Sequence, residues 1–87
     1  MNKLNRNKVG LVLGSFAALM HVIWSVLVAL NWAQPFQDFV FEMHFLINPN
    51  LVLPFDWATS IELVALASIV GYAVGFVFST VWNHFNK

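Results

Sequence analysis

Residues 9–33 have the sequence VGLVLGSFAALMHVIWSVLVALNWA, in which no side chain is charged. A second uncharged run covers residues 63–85. Each run is longer than the roughly 20 helical residues that cross a hydrocarbon core about 30 Å thick. The two runs therefore predict two transmembrane helices joined into a hairpin, and this pattern decides the fold.

The composition of the chain agrees with a membrane location. Its 87 residues are 60% hydrophobic and only 9% charged, whereas average globular chains are about 25% charged. The first apolar run is too long for the hydrophobic region of a secretory signal, so we expect it to be retained. Cysteine is absent, which excludes disulfides and thiolate metal sites. We predict a single-domain, all-α membrane protein that contacts the lipid bilayer.

Charged residues are segregated along the chain. The basic residues lie at the two termini: Lys3, Arg6, Lys8 and Lys87. The acidic residues lie in or beside the connecting segment: Asp38, Glu42, Asp56 and Glu62. Basic residues near short loops stay cytoplasmic during insertion, so we expect both termini to be cytoplasmic and the loop to lie outside the cytoplasmic (inner) membrane. Cations at two ends form no basic stripe, which argues against binding of nucleic acid.

We divide the single membrane domain, residues 1–87, into six segments. Cytoplasmic tails are predicted at 1–8 and 83–87, transmembrane helices at 9–33 and 57–82, an amphipathic interfacial helix at 35–47 and a loop at 48–56. Pro35 suits a first helical turn, and polar and aromatic side chains fall on opposite sides of the segment that follows it. An irregular loop is the alternative there, and whether the segment lies flat or dips inward is left open.

Two signals compete for the start of the second long helix. Asp56 can serve as its N-cap, and Thr59 with Glu62 forms a capping-box pattern three residues later. Glu62 is interpreted either as part of that cap or as a group on an ion pathway. Together with Asp38, Glu42 and Asp56, it would form a cation-attracting outer mouth in an oligomer.

Small residues recur on one face of each predicted helix. The candidate packing residues are Gly10, Gly14, Ala18, Gly71, Gly75 and Ser79. Each helix contains a GxxxG pair, and such faces let helix backbones approach closely in lipid. The faces would pack either within one hairpin or between copies of the chain.

His21 is the one imidazole in the middle of an apolar run. Because the helices are antiparallel, we expect it at the depth of Ser68 and Tyr72, where hydroxyls, including that of nearby Ser25, are available as hydrogen-bond partners. An ionisable group at this depth either marks an ion path or links the helices. Haem would need a second axial ligand at the same depth, so we expect no cofactor and no metal site.

Three stretches, ALMHVIWSVLVAL, LPFDWAT and VGYAVGFVF, cover much of the chain's apolar sequence. Through them the chain resembles short uncharacterised bacterial membrane proteins with two transmembrane helices, which implies the hairpin topology and no activity. Catalytic motifs such as HExxH are absent, so we expect no enzyme.

Two hypotheses for the function of the chain follow. The first is a small non-enzymatic membrane subunit that self-associates or joins a larger membrane complex through its small-residue faces. The alternative is a homo-oligomeric cation or proton channel lined by His21 and hydroxyl residues.

Overall fold

Three helices make up the architecture of the chain. A computed structural model describes residues 3–86, and its helices are α1 (Arg6–Ala29), α2 (Ala33–Met43) and α3 (Trp57–Phe85), with no strand in that range. Helices α1 and α3 are long and apolar enough to cross a membrane. They pack on each other, whereas α2 contacts α1 and not α3. The chain is therefore an all-helical hairpin with a short helix in its connection.

Helix α1 begins earlier than the sequence predicted. The side chain of Asn5 accepts a hydrogen bond from the backbone N–H of Lys8 at 3.1 Å and so caps the first turn. This cap satisfies a backbone donor that would otherwise be exposed at the start of the helix. The segment 6–8, expected as part of an unstructured tail, is consequently helical. Residues 1, 2 and 87, at the ends of the two predicted tails, lie outside the described residues.

Helix α1 ends at Ala29, before the predicted limit at residue 33, because Asn31 adopts a left-handed backbone conformation with φ of 62°. The N–H of Trp32 donates to the carbonyl of Leu27 at 2.8 Å, and that of Asn31 donates to Val28 at 3.1 Å. This pair of bonds is the Schellman arrangement, in which asparagine is among the residues that tolerate the left-handed position.

A helix occupies the connecting segment, although its bounds, Ala33–Met43, differ from the predicted 35–47. It ends by the same arrangement as α1. The N–H of Leu46 donates to Phe41 at 2.9 Å, and Phe45 has φ of 62°. A phenylalanine in this conformation is unusual, because its Cβ crowds the backbone. The rest of the connection, residues 44–56, is turn and extended chain.

Asp56 is the N-cap of helix α3, so the competing start at Thr59 and Glu62 is not used. Its carboxylate accepts hydrogen bonds from the backbone N–H of Thr59 at 3.0 Å and from the Thr59 hydroxyl at 2.7 Å. At its other end α3 continues to Phe85, beyond the predicted limit at residue 82.

In the part of the chain that the structure describes, only small residues are buried. Those described as buried are Gly10, Gly14, Ala33, Gly75 and Ser79. Bulky apolar side chains point away from the contact between α1 and α3, as with Leu19 at 56% exposure and Ile69 at 66%. The molecule is a slab of 48 × 33 × 15 Å.

Candidate functional site

Four glycines bring the backbones of α1 and α3 together. A Cβ atom added to Gly71 would lie 3.0 Å from the Cα of Gly14 and 2.8 Å from a carbonyl oxygen of α1. One added to Gly75 would lie 2.9 Å from the Cα of Gly10. No methyl group fits at these distances unless backbone atoms move. We refer to Gly10, Gly14, Gly71 and Gly75 as the glycine contact, and it lies within one hairpin.

The remaining candidate packing residues flank this contact. Ser79 is completely buried, and its hydroxyl donates to the carbonyl of Gly75 at 2.8 Å. Ala18 is half-buried on α1. The ring of Tyr72 covers Gly10, since a Cβ there would approach the ring to 2.8 Å. All six predicted packing residues are therefore at least partly shielded from the surroundings.

The register of the helices separates His21 from two of its expected partners. Gly14 lies opposite Gly71, and the Ser60 hydroxyl donates to Ser25 across the helices at 2.7 Å. In antiparallel helices this register places His21 level with Val64. His21 is therefore not level with Ser68 and Tyr72, the position that was expected from the antiparallel arrangement of the helices.

The polar groups predicted around His21 have other partners. The Nδ1 atom of His21 lies 2.8 Å from the carbonyl oxygen of Ala17, one turn earlier on the same helix. Ser68 donates to the carbonyl of its own helix, at Val64, at 2.8 Å. Tyr72 donates to the side chain of Asn7 at 2.6 Å. The hydroxyls of Ser25, Ser68 and Tyr72 and the imidazole therefore form no continuous polar line.

Away from the glycine contact, toward α2, the helices leave space between them. We call this the loop end of the hairpin, and the opposite end the terminal end. One open cavity, of about 270 Å³, is lined by residues of α1 and α3, by Gln37 of α2 and by residues 50–56. An apolar groove of about 520 Å³ includes Val22, Val26 and Ile61 in its lining. The hydrogen-bonded pair Ser25 and Ser60 borders both spaces.

A polar network fastens the connecting segment to α2. The amide nitrogen of Gln34 donates to Asp38 at 3.0 Å and to the carbonyl of Asn50 at 3.1 Å, while its oxygen accepts the N–H of Val52 at 2.6 Å. Asn48 also donates to Asp38, at 2.9 Å. We call these five residues the polar network. The sequence does not indicate the central role of Gln34, because its partners lie up to 18 positions away.

The four acidic residues have different surroundings. Asp38 belongs to the polar network. Hydrogen bonds from the Thr59 hydroxyl and then its backbone N–H lower the pKa of Asp56 below its ordinary value of 3.8. Glu42 and Glu62 are exposed. Within residues 3–86, no three histidine or acidic side chains gather in a way that would hold a metal ion.

Residues near the N-terminus are bound to the far end of α3, which the sequence did not indicate. The side chain of Asn83 accepts from the N–H of Leu4 at 2.7 Å and donates to its carbonyl at 2.9 Å. The guanidinium of Arg6 lies 5.1 Å from the ring centroid of Phe76. The sequence predicts Asn83 in a cytoplasmic tail. Its hydrogen bonds with Leu4 show that it instead attaches the start of the chain to α3.

Comparison of the chain with protein-family models, with curated proteins and with solved structures gives no match. The resemblance to short bacterial two-helix membrane proteins therefore stays a prediction. Functional inference rests on the geometry of the hairpin.

Proposed function

We propose that the chain is a small non-enzymatic integral membrane subunit that self-associates or joins a larger membrane complex. At 1.5 Å per residue, α1 and α3 are roughly 36 and 43 Å long, enough to cross a hydrocarbon core of about 30 Å. The observation that carries the proposal is the distribution of side chains: glycines face the helix contact, whereas large apolar side chains such as Phe16 and Leu66, each 60% exposed, face outward. That arrangement suits a hydrocarbon solvent and is unfavourable in water.

The distribution of charge supports one orientation in the cytoplasmic membrane. Lys3, Arg6 and Lys8 lie at the terminal end, whereas Asp38 and Glu42 lie on or beside the loop-end helix. Basic residues in short segments are retained on the cytoplasmic side. Both termini are therefore cytoplasmic in this proposal, and α2 lies on the outer side.

Helix α2 is suited to the outer membrane interface. Phe36 and Phe39 are 55% and 59% exposed, while Gln34 and Asp38 belong to the polar network. A helix with one aromatic side and one polar side can lie along the boundary between headgroups and acyl chains. The absence of contact with α3 in the described chain is compatible with this position.

Assembly would use the outward surfaces of the hairpin. The small-residue faces, which we expected to join copies or partners, contact each other inside one chain. They therefore build the subunit itself. A two-helix hairpin has little internal contact, and packing of outward side chains against further membrane helices would add to it.

No contact in the described residues supports the alternative hypothesis of a cation or proton channel. Its proposed lining is His21, Ser25, Ser68 and Tyr72, and each of these side chains has a hydrogen-bond partner within the chain. Its proposed mouth comprises acidic side chains with separate roles, such as the helix cap at Asp56. Ion flux through liposomes containing the purified protein is expected to equal that of empty liposomes.

Membrane topology can be tested cleanly because the chain contains no cysteine. Single-cysteine variants Lys3→Cys and His84→Cys probe the terminal end, and Leu51→Cys probes the loop end. A membrane-impermeant maleimide should label Leu51→Cys in intact cells and label the other two only after permeabilisation. Labelling of Lys3→Cys in intact cells would contradict the orientation, and release of the protein by alkaline carbonate would contradict integral membrane insertion.

Assembly is tested by chemical cross-linking in native membranes, followed by light scattering of the complex purified in mild detergent. We expect cross-linked species larger than the 9.9 kDa chain. A chain that is monomeric both in native membranes and in detergent would refute the proposal of a subunit.

A further inference from the structure

The terminal end of the hairpin concentrates positive charge. Lys3, Arg6 and Lys8 lie within six positions and are all exposed. Every acidic residue lies between positions 38 and 62, toward the loop end. The first turn of α1 contains no acidic side chain either. No aspartate or glutamate side chain therefore lies beside this basic segment in the described residues 3–86.

Contacts with α3 hold this basic segment in place. The two hydrogen bonds between Asn83 and Leu4 fix the backbone just before α1. The bond from Tyr72 to Asn7 and the stacking of Arg6 against Phe76 continue the attachment into the first turn. A cation held in this way loses less conformational freedom on binding a ligand than one on a free tail.

The amino end of α1 adds to the positive field. The amino end of α1 carries the positive end of its helix dipole. Because Gly10 lies opposite Gly75, α3 continues past the start of α1 for about 9 Å before it ends at Phe85. The carbonyl end of α3 is thus displaced along the hairpin axis from Arg6 and Lys8, and lies beside Leu4, which is hydrogen-bonded to Asn83 in the last turn of α3.

We infer that Arg6, held in position by Phe76, binds the phosphate headgroup of an anionic phospholipid in the cytoplasmic leaflet, while Lys3 and Lys8 add positive charge at the same end of the hairpin. The inference rests on the proposed membrane insertion and orientation, which place this end of the hairpin at headgroup level. A guanidinium can donate two parallel hydrogen bonds to phosphate oxygens, and ammonium groups supply charge beside it. Charge complementarity favours a headgroup with net negative charge over a zwitterionic one.

The test compares lipid binding to the full-length protein purified in neutral detergent. Phosphatidylglycerol and phosphatidylcholine with identical acyl chains are titrated separately, and bound lipid is counted by native mass spectrometry. We expect tighter binding of phosphatidylglycerol. Arg6→Gln should weaken that binding about fivefold, as estimated for one cation near a membrane surface. Phe76→Leu, which keeps the charge but removes the ring, should weaken it about twofold.

Matched controls separate a defined site from diffuse attraction. Lys87→Gln removes the same charge from the other terminus and should change phosphatidylglycerol binding less than twofold. Equal affinity for both lipids, or equal effects of Lys87→Gln and Arg6→Gln, would overturn the inference. Displacement of the lipid by an equal concentration of glycerol 3-phosphate would also overturn it, since the ligand would then be a soluble phosphate.

The result is independent of the test of the proposed function. If the cysteine variants label as expected but the protein binds both lipids equally, only the headgroup site is refuted. A chain that labels with the opposite orientation refutes the membrane topology, whatever lipid it binds in detergent.

Discussion

The two ends of the hairpin hold the same pair of helices together by different means. At the terminal end, the glycine contact brings backbone against backbone, so that a Cβ on Gly75 would lie 2.8 Å from the carbonyl oxygen of Val9. At the loop end, one hydroxyl pair, Ser25 and Ser60, spans the helices between a cavity and an open groove. The two helices thus meet through backbone atoms at the glycines and through side chains at the serines.

This difference indicates which interactions each end depends on. Where side chains are absent, dispersion contacts between backbones hold the helices, and added volume is harmful. Hydrogen bonds contribute at both ends, through Asn83 and Tyr72 at the terminal end and through Ser25 and Ser60 at the loop end, where the connecting segment is also held. The polar network around Gln34 belongs to that second region.

The largest effect should come from adding volume at the glycine contact. Gly75→Leu should lower the free energy of unfolding by about 3 kcal/mol, because the new side chain meets backbone atoms of α1 that cannot rotate away. Steric-trapping measurements in bicelles would quantify the loss. Ala73→Leu is the matched control, since Ala73 is exposed on the same helix and should be nearly neutral. Equal losses for the two leucines would contradict the assignment of the closest approach to Gly75.

A smaller effect is expected from disrupting the polar network at the loop end. Gln34→Leu removes two donated bonds and one accepted bond. At roughly 1 kcal/mol per bond, partly replaced by water, we expect the protection of the Val52 amide to fall by about 2 kcal/mol in hydrogen exchange. Gln37→Leu is the control, because the side chain of Gln37 makes a single long contact of 3.4 Å with Asn48. Unchanged exchange at Val52 would show that the connecting segment is held by other contacts.

The bond between Ser25 and Ser60 should contribute less. A double-mutant cycle with Ser25→Ala and Ser60→Ala should give a coupling energy of about 0.6 kcal/mol, the average for interhelical hydrogen bonds in membranes. The hydroxyl of Ser68 bonds to its own helix, so pairing Ser68→Ala with Ser25→Ala should give no coupling. Coupling in the second cycle would indicate a register different from the one described.

The smallest effect is confined to the first turn of α3 and depends on pH. Because the folded-state pKa of Asp56 is lowered from 3.8, its capping contribution is complete above that value and is lost as the pH falls through the lowered pKa. The protection of the Thr59 amide, measured as its exchange rate relative to that of an unstructured amide at the same pH, should therefore fall under acidic conditions. Asp56→Asn retains an acceptor without the titration and should show no such transition. A transition that persists in this variant would have to come from another group.

Much of the fold could be predicted from hydropathy and capping patterns. Apolar runs longer than a membrane crossing indicated both long helices, and Asp56 was one of the two proposed starts for α3. Helix ends were harder to predict, because Asn31 and Phe45 end their helices through left-handed backbone conformations that neither residue requires. Glycine would have indicated the same geometry more clearly.

The candidate site was predicted less well because it depends on register. Small residues identified the correct faces, but periodicity alone does not say that Gly14 lies opposite Gly71. A centre-to-centre alignment placed His21 near Ser68, whereas the observed register places it near Val64. Bonds between distant residues, such as that between Asn83 and Leu4, leave no local signal in the sequence.

Among residues 3–86, Ser79 is the largest side chain that the fold buries completely. In a water-soluble domain, large core residues are the ones whose substitution lowers stability, and small surface residues can be replaced with little effect. We expect the opposite here. In this chain the positions least able to change are the smallest ones. In the proposed membrane location, we expect the large apolar positions to vary in shape with the lipids or helices that surround the hairpin.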